Sequence, residues 1–389
     1  MNYFADMKTK TILLLHVLMC FSLAGFGQQK ESWVDKPISE WPKIALVNEV
    51  QFKNGDRYVH SSFKYAGTGF LIDNGKDTLA ATAKHVLWIA KNKQSKATEV
   101  NAVLKEWTMK PKHDTRDSAI LGELLNEDPN EVLEGKGSTV QERDWIVFTV
   151  KKSSPNLYPL KPRYTQVKPG EEVYILSCAY EDSSCTVHKG KVYQKYGMDI
   201  LIQRDMKTHK GGCSGSPVID ANGYLIGIIT GSAGSKVGNV SVAISNEYLR
   251  DVLNKKDGLN EPKKDYGELI YNTVIKDGIS AAMKRYQNLV KDPHNYYVYN
   301  LRSPNRNGLR ETAQRLLTDG RIEDAVAILK FNIKVNFKFY ENYNILGKAE
   351  LAAGNRAGAL AAYQQSIRSN NSKDNEAYAA LEKLDAKSL

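Results

Sequence analysis

Gly211-Gly212-Cys213-Ser214-Gly215-Ser216-Pro217-Val218, followed at once by a turn and the apolar run Tyr224-Leu225-Ile226-Gly227-Ile228-Ile229-Thr230-Gly231, is the stretch on which the reading of this sequence turns. A serine becomes an acyl-transfer nucleophile when a base takes its proton, an acid orients that base, and N–H donors face the developing oxyanion. Glycines before and after Ser214 let the backbone turn sharply and aim two amides at one point. Those amides are expected from Gly212 and Ser214. The α/β-hydrolase elbow is excluded, because Gly-x-Ser-x-Gly requires glycine where this chain has Ser216.

Working outward from this loop, residues 41–253 read as a succession of short strands. The runs IALVNEVQF, GTGFLID, TLAATAKHVL, DWIVFTV, EEVYILSCAY, ILIQRD and VSVAIS are separated by turn formers such as Asp73-Asn74-Gly75 and Asp220-Ala221-Asn222-Gly223. Many short strands so punctuated predict an all-β sandwich or barrel rather than a parallel sheet. Residues 91–143 are longer, more polar and less regular, and are expected to hold one or two strands plus a surface excursion.

The loop resembles the nucleophile loop of chymotrypsin-like (trypsin-like) serine proteases, especially the secreted bacterial ones. Ala80-Ala81-Thr82-Ala83-Lys84-His85-Val86 is similar to the family's Thr-Ala-Ala-His segment, and Gly67-Thr68-Gly69-Phe70 to the strand that leads into it. Arg143-Asp144-Trp145-Ile146-Val147 resembles the family's Asp-hydrophobic-Ala segment. His85, Asp144 and Ser214 stand in the family's order, 59 and 70 residues apart. The resemblance covers residues 41–253. It implies a double six-stranded antiparallel β-barrel, His85 as general base, Asp144 as the residue that holds the imidazole tautomer, and Ser214 as nucleophile. It implies hydrolysis of peptide bonds through an acyl-enzyme, with no cofactor and no metal. A protease-fold binding module without turnover, or a scaffold acting through C-terminal helical repeats, is the alternative.

Other residues fill out the expected site. The string that starts at Thr208 is similar to that of glutamate-specific bacterial members. Those carry a histidine in the following strand, where this chain has Thr230, so glutamate specificity is not expected. Thr208, Thr230, Gly231 and Ser232 are the candidate specificity pocket. Cys213 stands where pancreatic-type members carry an aspartate that pairs with a newly cut N-terminus, so activation by that pairing is not expected. Its expected role is that of a small buried apolar residue. His188 and His209 are weaker candidates for the base, one lacking the Ala-rich lead-in and the other sitting in the nucleophile's own loop.

At the N-terminus, Lys8 and Lys10 precede an apolar run that ends in small residues before Gln28. Residues 1–27 therefore read as a secretory signal peptide, and the run is short for a bilayer-spanning helix. Met7 is an alternative start. Lipoprotein anchoring at Cys20 is disfavoured by Met19 before it. An exported chain, periplasmic or extracellular, gives Cys178 and Cys185 an oxidising compartment in which they are close enough to pair. No pair of Cys-x-x-Cys units supports a structural zinc site. Residues 28–40 are read as an N-terminal segment.

Beyond Leu253 the composition changes. Residues 254–272 are charged, carry two turn signals and are read as a linker. Over residues 273–389 the period is helical, with Ile279, Met283, Tyr286 and Leu289 on one face. Gly320 and Gly354, Ala325 and Ala359, Ala327 and Ala361, and Ile333 and Ile367 are each 34 residues apart. That period resembles the tetratricopeptide repeat: helix, Gly-containing turn, helix. Such arrays present concave surfaces, so a protein or peptide partner is expected there, beside a peptide or protein substrate at the barrel.

The bulk numbers agree with an ordinary globular chain. It has 389 residues, of which 42% are hydrophobic and 25% charged. The net charge of +10 is spread along the sequence without a Lys/Arg block, which argues against nucleic-acid binding. The reading is thus multi-domain: a trypsin-like double barrel followed by an all-α helical-hairpin repeat domain.

Overall fold

The structure is a computed structural model that describes residues 29–53, 57–58, 65–87, 100–114, 116–127, 138, 140, 143–204, 210–235, 238–256, 261–301, 307–335 and 340–386. The expected signal peptide with Cys20, and the site candidates Thr208 and His209, lie outside these residues.

Two six-stranded antiparallel barrels form the first part of the chain. The first contains β1 (Leu46–Phe52), β3 (Thr68–Asp73), β4 (Thr78–Thr82), β5 (Leu104–Lys110), β6 (Ala119–Leu124) and β7 (Ile146–Ser153), with the two-residue β2 (Arg57–Tyr58) paired outside β1. Its order is β1-β3-β4-β7-β6-β5, and the pairing of β1 with β5 closes it. The excursion over residues 91–143 thus contributes both β5 and β6. The second barrel is closed in the order β10-β13-β12-β11-β8-β9. Its strands are β8 (Glu172–Ser177), β9 (Thr186–Tyr196), β10 (Asp199–Arg204), β11 (Pro217–Asp220), β12 (Leu225–Ser235) and β13 (Gly238–Ser245).

The turns form where short polar side chains can satisfy their own backbone. Asn74 Oδ1 accepts from the N–H groups of Lys76 and Asp77 between β3 and β4. Asp220 Oδ1 accepts from Asn222 and Tyr224 between β11 and β12. Val173, Ile175, Val192, Ile200, Ile202, Val218, Ile226, Ile229 and Ala243 fill the second barrel. Ile219, Ile228 and Ile244 point the other way, joining Phe70, Trp145 and Phe148 in the core that the two barrels share. Alternation along each strand therefore builds both the barrel interior and the seam between barrels.

The N-terminal residues pack as part of this body. Trp33 is 7% exposed and meets Trp41 and Tyr158 edge-on at 5.0 and 5.6 Å. Glu31 accepts from Tyr158 Oη at 2.7 Å, and its N–H donates to the Asn222 carbonyl at 3.0 Å.

After α1 (Glu247–Leu253), the chain becomes helical: α2 (Tyr266–Asp277), α3 (Ile279–Lys291), the single turn α4 (Asn295–Val298), α5 (Gly308–Thr318), α6 (Ile322–Val335), α7 (Tyr340–Ala352), α8 (Arg356–Ser369) and α9 (Ala377–Ala386). The helix α2 starts inside the stretch read as a linker. Asp265 starts it early, accepting from the N–H groups of Gly267 and Glu268 as an N-cap. Gly320 (φ 74°) and Gly354 (φ 76°) make the turns of the hairpins α5–α6 and α7–α8, where a left-handed residue is needed. Ala325 and Ala359 are fully buried where helices approach closely. No described helix is long and apolar enough to cross a membrane.

Candidate active site

His85 follows β4 within the short turn Lys84–Val86, Asp144 lies two residues before β7, and Ser214 lies three before β11. β4 and β7 are neighbours, with Thr82 opposite Ile146, so the residues just outside that pair meet at one barrel end. There the Asp144 carboxylate holds His85 twice. Its Oδ1 accepts from the His85 main-chain N–H at 2.8 Å, and its Oδ2 is 2.6 Å from Nδ1. A carboxylate acceptor at Nδ1 requires the proton there, which leaves Nε2 of the neutral ring with its lone pair. Burial works against charging this ring, but the charge of Asp144 and its hydrogen bond outweigh burial and hold the His85 pKa above its ordinary value. Asp144 is 1% exposed and His85 partly open.

The nucleophile loop is pressed against the same strand ends. The Thr68 N–H donates to the Ser214 carbonyl at 2.8 Å, and Thr68 Oγ1 donates to the Gly212 carbonyl at 2.8 Å. At Gly215 (φ 85°) an added Cβ would meet the Thr68 carbonyl oxygen at 2.0 Å and the Ala83 nitrogen at 3.1 Å. Only glycine lets the loop come this close, and Ala83 is two residues from His85. Ser214 is thereby seated beside the turn that carries the histidine.

Two peptide planes in this loop are oriented by hydrogen bonds to their carbonyls. The Gly211 carbonyl accepts from Tyr180 N–H at 2.8 Å, and the Cys213 carbonyl from Ser216 N–H at 3.1 Å. In a planar trans peptide the C=O and N–H point oppositely. The amides of Gly212 and Ser214 are therefore turned away from those partners, and among the described residues neither finds an acceptor. Tyr180 itself lies in the loop closed by the disulfide Cys178–Cys185, S–S 1.96 Å. That loop is tied to the first barrel by Lys112 Nζ, which donates to the Ala179 carbonyl at 2.7 Å, and by Tyr65 Oη, which donates to the same carbonyl at 3.2 Å. Lys210 and Asp182 pair at 2.5 Å across the two loops.

Residues 67–228 match the model of the trypsin-like peptidase domain, a span that contains His85, Asp144 and Ser214. This span is similar to a trypsin-like peptidase domain. Among solved structures, the active form of the Rv3671c protease from M. tuberculosis is 16% identical, covering 59% of this chain and 88% of that chain, with a TM-score of 0.37. An inactive form of the same protease is 17% identical, covering 54% and 88%, with a TM-score of 0.34. No curated protein matches the sequence.

In the second barrel and its loops the remaining candidates fall as follows. Thr230 sits at a bulge, the register of β12 against β13 shifting between Ile229 and Gly231, and its Oγ1 is 3.4 Å from the Val242 carbonyl. β11 stops pairing at Ile228, so Thr230, Gly231 and Ser232 extend past it along β12. A Cβ at Gly231 would meet nothing within 4 Å. The Ile229 carbonyl accepts from Gly215 N–H at 2.8 Å, which ties this stretch to the nucleophile loop. His188 is on β9, its Nε2 2.9 Å from Thr186 Oγ1, with burial holding its pKa down. Cys213 is 1% exposed, and burial pushes its thiol pKa up, so the thiol stays protonated and unreactive.

Thr68, Tyr180 and Arg143 are neighbours of the candidate site that sequence reasoning did not single out. Thr68 stands inside a recognised Gly-Thr-Gly-Phe run, but its side-chain hydrogen bond to the Gly212 carbonyl spans 144 residues. Tyr180 carries no local signal at all.

Proposed function

We propose that the chain is an exported serine endopeptidase working by acylation and deacylation. Nε2 of His85 takes the proton of Ser214 Oγ as the oxygen attacks the substrate carbonyl carbon. The Gly212 and Ser214 amides receive the oxyanion. The tetrahedral adduct collapses as His85 returns the proton to the leaving amine, which leaves an acyl-enzyme. Water then attacks the acyl carbon as His85 takes its proton, and the adduct collapses to the acid as His85 returns that proton to Ser214 Oγ. Asp144 holds the tautomer and stabilises the imidazolium. The open edge of β12 at Thr230–Ser232 suits an extended substrate backbone, with side-chain space over Gly231. The helical repeats recruit a peptide or protein.

The observation that carries this reading is the double grip of Asp144 on His85, at the N–H and at Nδ1. A strand-opening aspartate that were merely a cap would satisfy the backbone alone. The test is labelling by a fluorophosphonate, compared with Ser214→Ala and His85→Ala. Labelling lost in both variants supports an activated serine, and peptide libraries then define the bond cut. A folded wild-type protein that does not label overturns the reading in favour of a binding module.

A further inference from the structure

Asp144 is the centre of a tight turn, the Trp145 N–H donating to the Arg143 carbonyl at 2.8 Å. Where Arg143 and Trp145 are held, the carboxylate between them is held. Both flanking side chains are buried, Arg143 at 1% exposure and Trp145 at 0%. Trp145 is fixed by the barrels, its Nε1 donating to the Ile244 carbonyl of β13 at 3.3 Å. Arg143 is held by something else. Its Nη2 donates to the Glu261 carbonyl at 2.7 Å and to the Tyr297 carbonyl at 2.8 Å, both in the chain that follows the double barrel.

We propose that Arg143 is a positioning residue for Asp144, and that the segment running from Glu261 through α4 is a strap that completes the seat of the catalytic carboxylate. The inference rests on the functional reading above and gives the region after the barrels a part in catalysis.

The strap is built to hold these two carbonyls still. The Lys264 N–H donates to the Val298 carbonyl at 2.8 Å, and the Asn300 N–H to the Lys264 carbonyl at 3.1 Å, which lock the Glu261 side to the α4 side. Lys263 Nζ donates to the Tyr296 carbonyl at 2.9 Å. His294 Nδ1 lies 3.0 Å from Asp251 on α1, and the Tyr297 ring lies 4.4 Å from that of Tyr248 on α1. Tyr296 and Tyr297 belong to the barrels' shared core. The contacts also close on themselves around Asp144. Asn126 Nδ2 donates to Tyr248 Oη at 3.1 Å and to the Trp145 carbonyl at 2.8 Å. Arg143, Tyr297, Tyr248, Asn126 and Trp145 thus form a ring about the turn. A guanidinium buried to this degree needs acceptors, and its planar fork delivers two donors to fixed points. Loss of either would let the turn relax, and a displacement of about 1 Å at a catalytic group can cost on the order of a hundredfold in rate.

The test uses the full chain and a fluorophosphonate, with saturation kinetics to separate the inactivation rate constant from the probe's affinity. Arg143→Met keeps the stem and removes the fork, whereas Arg143→Lys keeps the charge and can reach one carbonyl. We expect the rate constant to fall on the order of a hundredfold in R143M and a fewfold in R143K, with probe affinity within about twofold. Trp33→Ala removes a buried aromatic that packs on Trp41 and Tyr158, outside the strap and the turn, and should lower the melting temperature with its rate constant retained. A wild-type rate constant in R143M overturns the proposal, as does an equal rate loss in R143M and W33A at equal loss of melting temperature. If R143M does not fold, R143K decides. An unlabelled wild-type protein would overturn the functional reading itself, whereas a labelled wild type with unaltered Arg143 variants overturns this inference alone.

Discussion

The main-chain N–H of Tyr180 donates to the carbonyl of Gly211 at 2.8 Å, and this bond sets which way the Gly212 amide faces. Residue 180 is tied in place by the Cys178–Cys185 bridge, by Lys112 and by its own hydroxyl, which accepts from Gly67 N–H at 3.1 Å. The oxyanion site proposed at Gly212 is therefore supported by a disulfide loop that itself contains no proposed reacting group.

Removing the bridge should accordingly cost more than stability. A Cys178→Ser, Cys185→Ser protein loses about 2–3 kcal/mol from freeing a short loop in the unfolded state. It should also lose on the order of a hundredfold in turnover if the Gly212 amide is no longer aimed. Melting curves and fluorophosphonate kinetics on the same samples check this. Full turnover in the folded variant would show that Tyr180 is held without the bridge.

The pH dependence follows from the pairing of His85 with Asp144. The ring must be neutral to act as base, so activity rises through a pKa held above the ordinary 6.5. Stability runs the other way. A pKa raised by folding contributes stability fully below the unfolded value, and that contribution is lost as pH rises through the folded one. In Asp144→Asn the raising charge is gone and burial remains. The acid limb should then shift to lower pH while turnover falls on the order of ten-thousandfold. Rate profiles against pH decide it, and an unmoved limb would assign the titration to another group.

Gly215→Ala should abolish labelling. Its Cβ would stand 2.0 Å from the Thr68 carbonyl oxygen at a φ of 85°, so the loop must leave the β3 end. Gly231→Ala meets nothing within 4 Å and should fold normally, altering only which substrate side chains are accepted. Melting temperature and peptide-library profiles separate the two.

Trp33→Ala should destabilise the double barrel by about 3 kcal/mol, the usual cost of deleting a buried aromatic side chain. Trp33 lies in the barrels' core cluster and is far in sequence from the loops above. Denaturant unfolding reads the loss, and the fluorophosphonate rate constant of the folded protein should be unchanged.

Much of this was legible in the residues. The order of His85, Asp144 and Ser214 and the segments around them pointed to one barrel architecture, because each segment needs its own strand and turn chemistry locally. The 34-residue spacing of Gly320 and Gly354 announced helical hairpins for the same reason: a left-handed turn and small packing residues are local requirements. The start of α2 was less legible, since Asp265 among lysines reads as a charged linker until its carboxylate is seen on the amides of Gly267 and Glu268.

By itself, then, the sequence determined the kind of strands and helices, the turns between them and the three residues proposed for chemistry. Tertiary structure alone decided that Tyr180 orients the amide at Gly212 and that a segment from beyond the barrels grips Arg143 beside Asp144. The guanidinium's partners lie 118 and 154 residues away and are main-chain carbonyls. Every residue carries such a carbonyl, so no pattern of side chains can mark which one will be used. Only the folded packing selects it.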